Sequence, residues 1–359
     1  MTTTARTPTA GASDTMEPVR GGAAARSRRM RRIVGLVASV VALLLVVVAS
    51  LALGTRATPL VDVVAALAQP DPTNPLHSVV RELRVPRTVI GALVGLALAV
   101  AGCLMQGVTR NPLADPGLLG INAGASLFVV IAIALLGVTS PFGFIWFAFA
   151  GAAVTAALVY FIGTLARDGA TPVTLALAGM AIAAVSTSIV TLLIITDVQT
   201  LATFRFWQVG SLAGRGIDML GMLWPFVLVG LLLALFVGRD LTLLAFGDDV
   251  AKGLGHNAGL TRGLSAVAIV LLCGTATALA GPLVFVGLVV PHIARAVVGI
   301  DYRWMLAYSL VLGPLLVLVA DVVGRLIVQP SELEVGLVIA VIGVPVLVAL
   351  VRRVKGRAL

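Results

Sequence analysis

By hydrophobic and polar positions alone, the chain is a series of apolar runs broken by short polar connections. The runs fall at residues 33–53, 87–108, 117–137, 142–165, 172–196, 218–237, 262–281, 283–299, 304–327 and 335–351. A helix needs about 20 apolar residues to cross the hydrocarbon core of a bilayer, and most of these runs approach that length. The bilayer core offers no water to backbone N–H and C=O groups, so such runs cross it as helices. The pattern predicts an all-α integral membrane protein of about ten transmembrane helices, with no room for a separate soluble domain.

Residues 1–32 lack hydrophobic periodicity, are rich in Thr, Ala, Gly and Arg, and close with RSRRMRR. That composition predicts a disordered basic tail on the cytoplasmic side. A basic flank before an apolar stretch also describes a signal peptide. The run 33–53 is longer than a usual signal core, and many runs follow it, which favours a retained first helix. Ten crossings return the C-terminal tail, residues 352–359, to the side on which the chain began, so both termini are expected to be cytoplasmic. The excess of Lys and Arg then falls in the inner loops and tails, as the positive-inside rule requires. The transmembrane domain is expected to span residues 33–351.

Composition narrows the function. Hydrophobic residues make up 59% and charged residues 11% of the chain, and the mean hydropathy is +1.09, outside the range of soluble domains. The net charge of +9 comes from basic residues scattered through loops without interleaved aromatics, so no nucleic-acid partner is expected. Cys103 and Cys273 both lie in apolar runs and offer no disulfide or metal motif. His77, His256 and His292 stand in separate segments, and no catalytic constellation or metal site is expected. Asp321 is the one acid well inside a run, and Arg325 follows one turn later on the same face, which predicts a local pair. Ion-coupled carriers depend on such carboxylates within spans. Lys252 and Lys355 stand outside any phosphate-cradling motif, so an ATP-driven version of this protein needs its ATPase on a separate chain.

Glycine and proline recur within the runs, where glycine lets helix backbones approach and proline bends or ends a span. A faint internal echo is also present: Ala101-Gly102 precedes Pro112 by the interval at which Ala280-Gly281 precedes Pro291. Many transporters contain such repeats.

One polar connection stands out, residues 238–262, GRDLTLLAFGDDVAKGLGHNAGLTR. Asp248 and Asp249 suit a helix N-terminus, Val250, Ala251 and Leu254 form a small apolar face, and Gly253 and Gly255 can end the helix. Two turns are too few to be stable alone. Either the body of the protein or a partner must hold them.

This loop resembles the cytoplasmic coupling loop of the FecCD (BtuC-like) family of ABC permeases. The likeness extends from Arg84 to Arg353. RVPRTVIGALVGLALAVAGCLMQGVTRNPLADPGLLGINAGASL, TALAGPLVFVGLVVPHIARAVVGIDYRW and ELEVGLVIAVIGVPVLVALVRR are its long matches. The resemblance implies a ten-helix subunit with no bound cofactor of its own. Its partners would be a second permease subunit, identical or homologous, an ABC ATPase dimer that holds ATP and Mg, and an extracytoplasmic binding protein. It implies that Gly247, Asp248, Asp249, Ala251, Lys252, Leu254 and Gly255 form the ATPase-coupling helix, with Asp248, Asp249, Lys252 and Leu254 as contacts.

The family's R-L-P-R motif stands here as RVPR, with Val85 in place of Leu. Its arginines, Arg84 and Arg87, are implied to dock the binding protein together with Arg325 of ADVVGR. Alignment back from LALAG places Thr171, Pro172, Val173 and Thr174 at the inner gate, where the family usually carries small hydroxyl residues. Gln106 and Asn122 are the amides expected on the pathway. RNPLADPG, residues 110–117, reads as a turn. FRFWQVGSL and LCGTATALAGP look most like the ferric-enterobactin branch, which implies a ferric siderophore of catecholate type as cargo. Haem or cobalamin is the alternative within the class. An ion-coupled secondary carrier and a membrane-embedded enzyme are the alternatives outside it.

Overall fold

The computed structural model describes residues 21–54, 57–166 and 171–355, which are helical nearly throughout and contain no strand. The helices are α1 (Gly21–Ala52), α2 (Leu60–Ala68), α3 (Pro75–Ser78), α4 (Val85–Thr109), α5 (Ile121–Leu136), α6 (Pro141–Leu165), α7 (Pro172–Thr196), α8 (Val198–Gln208), α9 (Ile217–Leu244), α10 (Asp248–Gly253), α11 (Ala258–Ala280), α12 (Val286–Val298), α13 (Tyr302–Ile327) and α14 (Val335–Lys355). Each predicted apolar run coincides with one of them.

Among the described residues, seven stretches are long and apolar enough to cross a membrane, within α1, α3 to α4, α6, α7, α9, α11 and α13. The apolar parts of α5, α12 and α14 are shorter. Chain geometry accounts for two of these. The connection before α5 folds into the bundle and brings Pro116 against Gly287, and α12 starts only after Phe285, whose φ of 67° breaks the preceding segment.

Two boundaries depart from the sequence pattern. α1 begins at Gly21, twelve residues before its apolar run, and residues 1–20 lie outside the described residues. The extension carries arginines that bind the body: Arg32 Nη2 donates to Val298 O at 2.6 Å and Nη1 pairs with Asp301 at 3.0 Å. α14 continues to Lys355, so only residues 356–359 of the expected C-terminal tail lie outside the described residues.

Local chemistry sets several starts. The side chains of Asn74, Asp115, Ser140, Thr171, Asp197, Asn257 and Asp301 each accept a backbone N–H from the turn that follows. Capping of this kind satisfies donors that the helix itself leaves unpaired.

The bundle is organised around α4, which packs against α13, α11, α12 and α9. Glycine permits this. A Cβ on Gly102 would overlap the Gly287 backbone, and Gly95 meets the Gly313 backbone in the same way. Close backbone approach is the usual basis of helix packing where lipid removes the hydrophobic drive. The sequence echo does not mark equivalent positions: Gly102 lies within α4 and Gly281 caps α11, while Pro112 lies in a turn and Pro291 within α12.

The ends of the bundle differ. One end gathers α10, the N-terminal part of α1, the foot of α9 and the α12–α13 turn. The other gathers the C-terminus of α1, α2, α3 and the start of α4.

Candidate functional site

The connection between α9 and α11 forms the short helix that its sequence suggests, α10. Gly247 precedes it at φ 122° and ψ 152°, and Gly255 follows it at φ 80°, both outside the range that side chains tolerate well. Ala251 is fully buried, and its carbonyl accepts from His256 N at 3.0 Å. His256 Nδ1 in turn lies 3.1 Å from Asp240 Oδ1 on α9. The helix is thus fastened to the bundle through Ala251, whose place is inward rather than at a partner's surface. Its other face carries Val250 and the C-capping Leu254, both exposed, and Phe246 is exposed in the turn before Gly247. The four-residue spacing of Val250 and Leu254 puts those two on one side, and Lys252 is exposed nearby. The side chains of Asp248 and Asp249 lie outside the described residues. Sequence reasoning gave Phe246 no role, and helical spacing could not have found it, because Gly247 separates it from α10.

At the opposite end three arginines converge, and not at the surface. Arg84 Nη1 donates to Leu51 O at 2.6 Å and Ala52 O at 2.8 Å. Arg325 Nη1 donates to Ser50 O at 3.1 Å and Leu53 O at 2.9 Å, while Nη2 donates to Ser50 Oγ at 2.9 Å. Both therefore cap the C-terminus of α1, the negative end of its dipole, and they are only 6% and 3% exposed. Arg87 binds Asp321 through Nε and Nη2, at 3.0 and 2.8 Å from Oδ1, and Glu332 through Nη1 at 2.6 Å. The predicted Asp321–Arg325 pair is present at 3.0 Å, with Arg87 as a third member.

These groups border a recess of about 680 Å³ that Arg215, Glu82 and Glu332 also line. Sequence reasoning gave Arg215 no role. It sits in the α8–α9 connection, where burial pushes its pKa down and Glu334 opposes the shift.

The expected gate and pathway residues separate. Thr171 and Thr174, at the α10 end of α7, turn their hydroxyls to each other at 3.1 Å, and Thr174 Oγ1 donates to Thr171 O at 2.9 Å. Val173 is 68% exposed, and the Pro172 side chain lies outside the described residues. Gln106 is fully buried. Its amide donates to Leu288 O at 3.3 Å and its carbonyl faces Arg295 Nη2 at 3.5 Å, so it joins α4 to α12 instead of facing a pathway. Asn122 lines a cavity of about 450 Å³ with Ser126, Thr187 and Gln208, and its Oδ1 accepts from Thr277 at 3.0 Å. In the 110–117 connection, Asn111 and Asp115 accept the N–H groups of Leu113 and Gly117, which makes it the turn its composition suggests.

The profile of the FecCD transport family matches residues 42–353. The chain belongs to the FecCD transport family. It is 44% identical over 318 residues to the Bacillus subtilis protein named probable siderophore transport system permease protein YfiZ, covering 89% of this chain and 95% of the relative. It is 46% identical over 276 residues to the Escherichia coli ferric enterobactin transport system permease protein FepD, covering 77% and 82%. A solved inward-facing conformation of a metal-chelate type ABC transporter matches with a TM-score of 0.78 at 26% identity, covering 89% of this chain and 98% of the other. The FecCD match begins within α1 and leaves Gly21–Ala52 only partly covered.

Proposed function

We propose that this FecCD permease is a membrane-spanning subunit of an ATP-driven importer that carries ferric siderophores across the cytoplasmic membrane. The observation that carries this reading is α10: a short helix anchored on one face through Ala251, with Val250 and Leu254 exposed on the other and Phe246 exposed just before it. An exposed apolar ridge on a polar connection suits a partner surface. A rigid helix tied to α9 can pass a rigid-body movement to the bundle. In this reading the partner is an ABC ATPase dimer holding ATP and Mg, and the chain itself transports without catalysing a reaction.

Ten crossings with both termini cytoplasmic put α10 inside and the arginine recess outside, where an extracytoplasmic binding protein would dock. Because Arg84 and Arg325 cap α1 and Arg87 is held by Asp321 and Glu332, Arg215 is the recess cation best placed to receive an acidic group from that protein. A second permease subunit completes the pathway, to which Asn122 and the Thr171–Thr174 end of α7 contribute. The likeness to FepD supports a catecholate cargo. Other similar proteins are named for hydroxamate and citrate, so ferric siderophore is the broader assignment.

The test is uptake of radiolabelled iron into proteoliposomes that contain the assembled importer, with ferric enterobactin, ferric citrate and a ferric hydroxamate offered separately. ATP-dependent uptake led by the catecholate is the expected result. Uptake driven by a proton or sodium gradient without ATP would replace this reading with an ion-coupled carrier.

A further inference from the structure

The first third of α1 carries a dense run of positive charge that the described residues only half compensate. Residues 21–32 contain Arg26, Arg28, Arg29, Arg31 and Arg32 and no acidic residue. Arg31 and Arg32 are compensated inside the protein, because their guanidinium groups donate to Val297 O and Val298 O at the negative end of α12, and Arg32 also meets Asp301. Arg26 and Arg29 are exposed, and among the described residues no ion pair reaches them. The Arg28 side chain lies outside the described residues.

Depth supplies the missing partner. The apolar run of α1 begins at Ile33, and a helix rises 1.5 Å per residue, so Arg29 lies about 6 Å and Arg26 about 10 Å beyond the hydrocarbon edge. The headgroup region extends roughly 5–7 Å on each side, which places Arg29 at phosphate level and lets the long Arg26 side chain reach back to it. Fixed phosphates there would offset the two cations. Arg31 and Arg32 hold the helix against α12, so the two exposed arginines are presented on a fixed arm. The arm lies outside the FecCD match, which starts at residue 42.

We propose that Arg26 and Arg29 bind the phosphate groups of anionic phospholipids in the leaflet at the α10 end, anchoring the inner end of α1. The inference does not depend on the cargo or on an ATPase.

The test uses the full-length chain in nanodiscs of phosphatidylglycerol or phosphatidylcholine, comparing wild type with R26Q/R29Q and with R205Q as a remote charge control. Retained phosphatidylglycerol is counted by native mass spectrometry after partial delipidation, and the unfolding midpoint is followed in parallel. Wild type and R205Q are expected to retain phosphatidylglycerol and gain stability from it. R26Q/R29Q should lose roughly tenfold or more in retention, with recovery in the charge-preserving R26K/R29K. Equal retention by R26Q/R29Q would overturn the proposal. So would equal stabilisation of wild type by phosphatidylcholine, or equal protection by inorganic phosphate, which would indicate a site for soluble anions.

Discussion

Arg87 and Asp321, 234 residues apart in sequence, meet through two guanidinium nitrogens at 3.0 and 2.8 Å, with Asp321 only 1% exposed. Asp321 also receives Arg325 at 3.0 Å, so one carboxylate holds two cations from α4 and α13. Asp321→Asn would leave both guanidinium groups short of a counter-charge. Breaking a buried pair of this kind costs roughly 3–5 kcal/mol, and the unfolding midpoint in detergent should fall steeply. Glu332 is 31% exposed, and Glu332→Gln should change stability by about 1 kcal/mol or less.

The crossing of α4 and α12 supplies a second prediction. Gly102→Ala should drive a methyl into the Gly287 backbone and cost about 1–3 kcal/mol or more through overpacking. Gly263 lies in α11 with open space around it. Gly263→Ala should be neutral or stabilising by up to about 1 kcal/mol. Paired thermal scans of the two variants check the contrast.

Much of the fold was legible because lipid imposes one simple rule on a long apolar run, and every run became a helix. The i, i+4 spacing also made the Asp321–Arg325 pair readable. What the sequence hid were pairings set by tertiary packing. Nothing near Arg84 announces that the carbonyls of Leu51 and Ala52 will receive it, and Gln106 looked like a pathway amide because its partners at Leu288 and Arg295 lie over 180 residues away. In α10 the helix and its flanking glycines were clear. The split of its apolar residues into buried Ala251 and exposed Val250 and Leu254 depended on which side α9 occupies.

The capping of α1 leads to a third prediction. Arg84→Gln removes charged donors from Leu51 O and Ala52 O, each such bond being worth about 1.5–3 kcal/mol. Hydrogen exchange should quicken in the last turn of α1 while the buried middle of α4 stays protected. Uniform protection in the variant would mean that the cap contributes little.

Gly247 offers a test of how α10 is set. Its backbone lies in a region that other residues enter only at a cost of about 1–3 kcal/mol, and a Cβ there would meet no neighbour. Gly247→Ala should therefore leave the bundle folded but reorient α10. The expected outcome is unchanged thermal stability of the bundle with weakened ATPase association, read by pull-down.

The most direct test of the central claim is co-purification of a candidate ABC ATPase with the detergent-solubilised chain, comparing wild type with Val250→Asp/Leu254→Asp. Both side chains are exposed, so the variant should fold and insert as wild type does. ATPase captured by wild type and lost from the variant is the expected result. Capture of the ATPase by the variant at the wild-type level would contradict the assignment of α10 as the coupling helix.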